Sequence, residues 1–246
     1  MSNAMNYDQG LLRELADNPE PRCPCVLLLD VSGSMNDAYD GYRAIDQLNN
    51  SIGSMKTIIE NDTIASLRVD MAVITFGGDG AQVIQPFDSI HEFRPPQLTA
   101  NGGTPFGAAL RKAMEMIEGR RAEYKAANLP RPYRPWLVVF TDGAPNDPGW
   151  EDAVKAAHQA EDNRRFVYFV FGVQPISPNT LSQISPKKKP LMLLENHAAF
   201  RSTFEWLGQA MSVVSNSTPP TDGSDNANVQ IAAPQQGIQY FTIGTN

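Results

Sequence analysis

The sequence contains few of the residues that build disulfide scaffolds and zinc sites. It has two cysteines and three histidines in 246 residues. The histidines, His91, His158 and His197, lie far apart and lack the spacing of metal ligands. Cys23 and Cys25 are expected to remain reduced in the first strand, which favours a reducing, cytoplasmic setting. A metal-binding pair of thiols is the alternative for these two residues.

Long apolar runs and excess positive charge are also missing. No run approaches the roughly 18 residues that a membrane span needs, and no signal peptide pattern is present. The formal net charge is −7, which argues against a nucleic-acid partner. Residues 1–4, ahead of a second methionine, resemble the remnant of an expression vector. We therefore expect a domain that binds neither membrane nor nucleic acid.

Apolar runs and amphipathic stretches alternate along the chain. This alternation predicts an α/β fold with a doubly wound, mostly parallel central sheet, one antiparallel edge strand and helices on both faces. Thr104 is expected to cap one of the helices. The strands are predicted near residues 22–29, 67–76, 81–87 (antiparallel), 136–140, 166–171 and 191–194 (a short edge strand), and the helices near residues 45–59, 106–117, 150–160 and 198–214.

The composition divides the chain into three parts. Residues 1–20 form a lead-in, and residues 21–215 contain the predicted domain. Residues 216–246 begin with a Ser-, Thr- and Pro-rich linker. The mildly apolar end of this last part either docks as a strand or forms a disordered tail. The oligomeric state is left open.

Oxygen-bearing side chains follow two of the predicted buried strands. Asp30, Ser32 and Ser34 follow the first strand, and Asp142 follows the strand near residues 136–140. Thr104 lies in a Gly-Gly-Thr-Pro turn between them. Ligands of doubly wound sheets bind beyond the carboxyl ends of the strands, and an all-oxygen set suits Mg²⁺, Mn²⁺ or Ca²⁺. The alternative is that the two aspartates only cap turns and helices.

Motifs of covalent catalysis are missing. The chain has no Gly-x-Ser-x-Gly elbow, no catalytic Cys–His pair and no P-loop lysine. Aspartyl phosphatases also place an aspartate and a divalent ion at a strand end, but their second carboxylate lies two residues further on, where this chain has Ser32. We therefore expect a protein that is not an enzyme, with a Mg²⁺-dependent phosphatase-like hydrolase as the alternative.

These motifs resemble the metal-ion-dependent adhesion site of von Willebrand factor A (vWA) domains. The resemblance rests on Asp30-x-Ser32-x-Ser34, Thr104 and Asp142, in the family's order and spacing. The stretches around them look more similar to bacterial TerY-type proteins of tellurite-resistance clusters than to integrins. The resemblance implies that Thr104 binds the metal directly in one state and through water in another.

The function implied by this resemblance is metal-dependent protein binding. A divalent cation, with Mg²⁺ expected first, would be completed by an Asp or Glu of a protein partner. The expected setting is bacterial stress or tellurite-resistance signalling in the cytoplasm. A regulatory subunit of an AAA+ ATPase is a further alternative.

Three other stretches carry weaker signals. Asp37 and Asp40 are interpreted as part of a solvated loop, with an accessory cation site as the alternative. Residues 187–189, three lysines, are interpreted as a solvated loop rather than a site for an anionic partner. Residues 131–135 contain two arginines and two prolines, and are interpreted as the lead-in to a strand or as a recognition loop.

Overall fold

The computed structural model of the protein describes residues 9–218 and 237–241, with side chains described from residue 12 onward. It confirms the predicted α/β class. The strands are β1 (Cys23–Val31), β2 (Ala38–Tyr39), β3 (Tyr42–Arg43), β4 (Val69–Gly77), β5 (Gly80–Ser89), β6 (Trp136–Thr141), β7 (Val167–Val173), β8 (Leu191–Leu194) and β9 (Ile238–Phe241). The helices are α1 (Gln9–Asp17), α2 (Ala44–Glu60), α3 (Ala65–Arg68), α4 (Phe106–Ala126), α5 (Trp150–Asp162), α6 (Pro178–Ile184) and α7 (His197–Asn216).

The main sheet of the described residues has seven strands in the order β5-β4-β1-β6-β7-β8-β9. The five central strands are parallel to one another, and β5 pairs with β4 as the predicted antiparallel edge strand. At the opposite edge, β9 pairs antiparallel with β8. The strands β2 and β3 form a separate small hairpin.

Helices cover both faces of the sheet because the central strands are apolar on both sides. Alternate residues of a strand point to opposite faces, so the continuous apolar run of β1 supplies both cores. One core lies against α2 and α7, where Phe204 stacks on Phe140 with the ring centroids 4.7 Å apart. The other lies against α4, α5 and α6. None of the helices in the described ranges is both long and apolar enough to span a bilayer.

The structure differs from the sequence predictions in several elements. The hairpin of β2 and β3 and the helix α6 were not predicted. Leu67 lies in the short helix α3 instead of β4. The strand β8 was expected at an edge, but residues from far along the chain form β9 beside it. The lead-in contains α1, which precedes the predicted domain. Most of the predicted linker lies outside the described residues. Local periodicity does not reveal which distant segment fills a sheet edge, and this explains the difference at β8.

Both cysteines are free and buried in the same core. Burial raises the pKa of Cys23 to about 12, and the nearby carboxylate of Asp70 adds to the effect. The thiolate form is therefore disfavoured at neutral pH, which does not suit a metal-binding pair of thiols.

The pairing of β1 with β6 decides where the candidate site forms. Leu29 of β1 lies opposite Phe140 of β6 in a parallel register. The carboxyl ends of the two strands therefore coincide at one edge of the sheet, and the residues that follow each strand meet there.

Candidate metal centre

Asp30 is the innermost group at this edge. It is 0 % exposed, and it is the second-to-last residue of β1. Its Oδ1 accepts a hydrogen bond from the backbone nitrogen of Ser32 at 2.8 Å. Its Oδ2 accepts one from the hydroxyl of Thr141 at 2.5 Å. The two bonds fix the orientation of the carboxylate at the end of the strand.

Ser32 and Ser34 lie on the turn that follows β1. The turn continues as one 3₁₀ turn over Gly33–Asn36, which brings the two hydroxyl oxygens to 3.2 Å from each other. The hydroxyl of Ser34 donates to Oδ1 of Asp142 at 2.8 Å. The turn therefore connects the two carboxylates, and the exposed Ser34 lies on the solvent side.

Thr104 reaches the same place from a third segment. The backbone nitrogen of Gly33 donates to the carbonyl oxygen of Gly102 at 2.9 Å, which joins the two loops. A Cβ on Gly143 would lie 3.2 Å from Oγ1 of Thr104 and 3.9 Å from Oγ of Ser34. Both hydroxyls therefore face the backbone of Gly143. The structure thus brings together all five predicted residues, namely Asp30, Ser32, Ser34, Thr104 and Asp142.

Two residues that the sequence analysis did not identify hold the Thr104 loop. Oδ1 of Asn146 accepts a bond from the backbone nitrogen of Thr104 at 3.0 Å. Asp147 accepts bonds from the backbone nitrogens of Gly107 and Ala108 at 3.0 and 2.8 Å. The prediction that Thr104 caps α4 is therefore wrong, because the carboxylate of Asp147 occupies that role from another loop. The sequence signal for this role was the position of Asn146 and Asp147 shortly after Asp142.

The pKa values of both carboxylates are raised. Burial is the main cause that raises the pKa of Asp30. Burial and then the charge of Asp30 raise the pKa of Asp142 to about 7, while the bond from Ser34 opposes the shift. The charge of Asp37 adds to it. Across the described ranges, no Lys, Arg or His side chain forms an ion pair with Asp30 or Asp142.

The donor set of this site fits a hard divalent cation. Two carboxylates and three hydroxyls offer oxygen only, which suits Mg²⁺, Mn²⁺ or Ca²⁺. Two buried negative charges side by side are unfavourable without a counter-charge, and a cation would supply it. A hydroxyl can rotate its proton away and present a lone pair, so the bond from Ser34 to Asp142 does not obstruct coordination.

The three histidines do not join a cluster of metal ligands. In the part of the chain that the structure describes, no three side chains of His, Cys, Asp or Glu are arranged to hold a metal. Asp37 and Asp40 are both exposed, which agrees with a solvated loop.

Comparison with known proteins agrees with this architecture. The sequence profile of the von Willebrand factor type A domain matches residues 25–213. The chain belongs to the vWA domain family. No curated protein gives a significant sequence match. The vWA match covers both strand-end motifs and the loop that carries Thr104.

Solved structures similar to this vWA domain share its fold at low sequence identity. A von Willebrand factor type A protein from Catenulispora acidiphila has a TM-score of 0.56 at 15% identity, over 78% of this chain and 43% of that chain. The pilus adhesin SpaC from Lactobacillus rhamnosus GG has a TM-score of 0.61 at 12% identity, over 80% of this chain and 32% of that chain. The vWF domain of the type V pilus tip protein Mfa5 from Porphyromonas gingivalis has a TM-score of 0.53 at 12% identity, over 82% of this chain and 99% of that chain. This chain therefore spans less than half of the first two proteins.

Proposed function

We propose that this vWA domain is a protein-binding module whose binding site is a divalent cation. Asp30, Ser32, Ser34, Thr104 and Asp142 would hold the cation, with Mg²⁺ as the expected metal. The observation that carries the proposal is the convergence of three hydroxyls on two buried carboxylates. No basic side chain among the described residues forms an ion pair with either carboxylate.

The partner is expected to offer a carboxylate. Two formal negative charges balance a divalent cation, and five protein oxygens leave room in a coordination shell of six or more. The exposed side of the site at Ser34 is where a further ligand can approach. An Asp or Glu side chain of another protein would supply this ligand. vWA domains as a class are protein-interaction modules, which supports a protein partner.

We further propose that the module binds without catalysing a reaction. Turnover of a phosphate ester at a strand-end aspartate needs a second acid–base group beside the nucleophile. The position two residues after Asp30 is Ser32, which offers a hydroxyl and not a second carboxylate. The resemblance to TerY-type proteins supports a role in bacterial stress or tellurite-resistance signalling in the cytoplasm.

A peptide selection tests this function directly. A random peptide library is selected against the domain in the presence of Mg²⁺, and the enriched peptides are measured by calorimetry. We expect enriched peptides to contain Asp or Glu, and to lose binding when a chelator is added or when that residue becomes Asn or Gln. Asp30→Ala should abolish binding, whereas Asp17→Asn, an exposed change of the same charge, should not.

Two results would contradict the proposal. The first is peptide binding that is unaffected by chelation and by Asp30→Ala. The second is steady hydrolysis of a phosphate ester that depends on Mg²⁺ and disappears in Asp30→Asn, because it would identify the domain as an enzyme.

A further inference from the structure

A basic pocket lies at the opposite end of α4 from the metal centre. It has a volume of about 760 Å³, and its charged lining residues are Glu118, Arg121, Lys125, Arg131 and Arg165. The helix begins next to Thr104 and spans 21 residues, and the lining residues on it begin at Glu118. The pocket therefore lies roughly 20–30 Å from the candidate metal centre. We call this feature the basic pocket.

The charge of the basic pocket is opposite to that of the whole chain. Four cationic side chains line it with one carboxylate, whereas the chain carries a net charge of −7. Glu118 hydrogen-bonds Arg165 and lies 3.7 Å from Arg121. One carboxylate thus contacts two guanidinium groups, and cationic side chains outnumber carboxylates in the lining.

The cations converge from three separate segments of the chain. Arg121 and Lys125 are one helical turn apart on α4. Arg131 lies in the loop after that helix, and Arg165 lies just before β7. The negative end of a helix dipole attracts cations to its last turn, which accounts for Lys125. It does not account for arginines brought there by two other segments.

Burial and the neighbouring charges both act on Arg121. Its pKa is lowered by burial and by the neighbouring charges of Arg165 and Arg131, while Glu118 opposes the shift. An anion between the guanidinium groups would relieve this repulsion.

Proline residues and a backbone hydrogen bond restrain the loop that carries Arg131 in the basic pocket. Pro130 and Pro132 flank Arg131 and restrict its loop. The nitrogen of Leu129 donates to the carbonyl oxygen of Tyr124 at 3.0 Å and ties the loop to the end of α4. A loop held in this way loses little conformational entropy when a ligand binds.

We propose that the basic pocket binds a phosphate monoester dianion. Guanidinium groups present forked donors that match phosphate oxygens, and three arginines line this pocket. A dianion neutralises more of the surplus charge than a single carboxylate does. The site does not depend on the proposed function of the metal centre, and its distance from that centre allows both to be occupied at once.

Calorimetric titration at constant ionic strength tests the proposal. The probes are inorganic phosphate, phosphoserine and a phosphoserine peptide, with the unphosphorylated peptide and chloride as controls. The test variant is Lys125→Gln/Arg131→Gln, which removes two exposed cations from the basic pocket. The control is Lys155→Gln/Lys187→Gln, which makes the same charge change at exposed sites elsewhere.

We expect saturable binding of the phosphate probes that weakens about tenfold or more in the test variant. The control variant should stay within about twofold of the parent. A phosphopeptide that binds about tenfold tighter than phosphoserine would identify a phosphorylated protein as the source. Equal affinities would identify a small phosphate ester.

A second variant separates binding from folding. Arg121→Lys keeps the charge but removes the forked donor, so it should weaken phosphate binding while the melting temperature stays close to the parent value. The proposal is overturned if the parent shows no saturable phosphate binding. It is overturned also if the test and control variants lose affinity equally, because simple screening would then explain the effect.

Discussion

Replacing Asp142 with Asn tests whether repulsion between two buried carboxylates destabilises the candidate metal centre when no cation is bound. The substitution removes one of two adjacent buried negative charges. It keeps an oxygen that can accept the hydrogen bond donated by Ser34, which is 2.8 Å long in the parent. We expect Asp142→Asn to be more stable than the parent in chelator at about pH 8, and to be little different at about pH 4.

The direction and the magnitude of this difference in stability follow from the pKa of Asp142. It is raised to about 7 in the folded protein, whereas an unfolded chain has an aspartate pKa of about 3.9. The folded state therefore holds its proton to higher pH, so stability falls as the pH rises from about 4 to about 7. The difference corresponds to at most about 4 kcal/mol, and screening by water on the open side lowers this to roughly 2–3 kcal/mol.

Thermal melts across this pH range measure the effect, with Asp17→Asn as an exposed control of the same charge. A gain of that size raises the melting temperature by roughly 4–12 °C for a domain of this length. Added Mg²⁺ should close most of this gap. The parent gains about 2.7 kcal/mol at a metal concentration one hundred times its Kd, and the variant should gain little.

Two results would refute this reasoning. One is an Asp142→Asn variant that is no more stable than the parent in chelator at about pH 8. The other is an equal response of the two proteins to Mg²⁺, which would mean that Asp142 does not contribute to cation binding.

Three further predictions follow from individual contacts. Thr141→Val removes the hydroxyl that donates to Asp30. It should lower the free energy of unfolding in denaturant by about 1–3 kcal/mol and weaken metal binding. Thr141→Ser keeps the hydroxyl, so its stability and metal binding should match those of the parent. Gly102→Ala should destabilise the domain by more than about 1 kcal/mol, because Gly102 has a φ of 65° and an added Cβ would lie 2.1 Å from Cα of Gly78. An unchanged free energy of unfolding in denaturant would contradict this close approach. The buried thiol of Cys23 has a pKa raised to about 12, so it should react with a thiol reagent only when the protein unfolds, and rapid labelling of the native protein would disprove its burial.

Several features could be predicted from the sequence because their causes are local. The apolar run before Asp30 predicts a buried strand whatever it pairs with. The spacing of Ile45, Leu48, Ile52 and Met55 predicts α2, and all four side chains are buried there. The site residues themselves could be proposed because each follows a recognisable strand end or glycine turn.

The tertiary structure alone decided how these segments meet. Thr141 bonds to Asp30 across 111 positions in the chain, and Asp147 caps α4 from a different loop. No periodic pattern in the sequence predicts either contact, because contacts between distant segments depend on the order of the strands in the sheet and not on local propensity. The basic pocket is of the same kind. No sequence pattern distinguishes its individual arginines in this acidic chain, and only the fold brings residues of three segments together there.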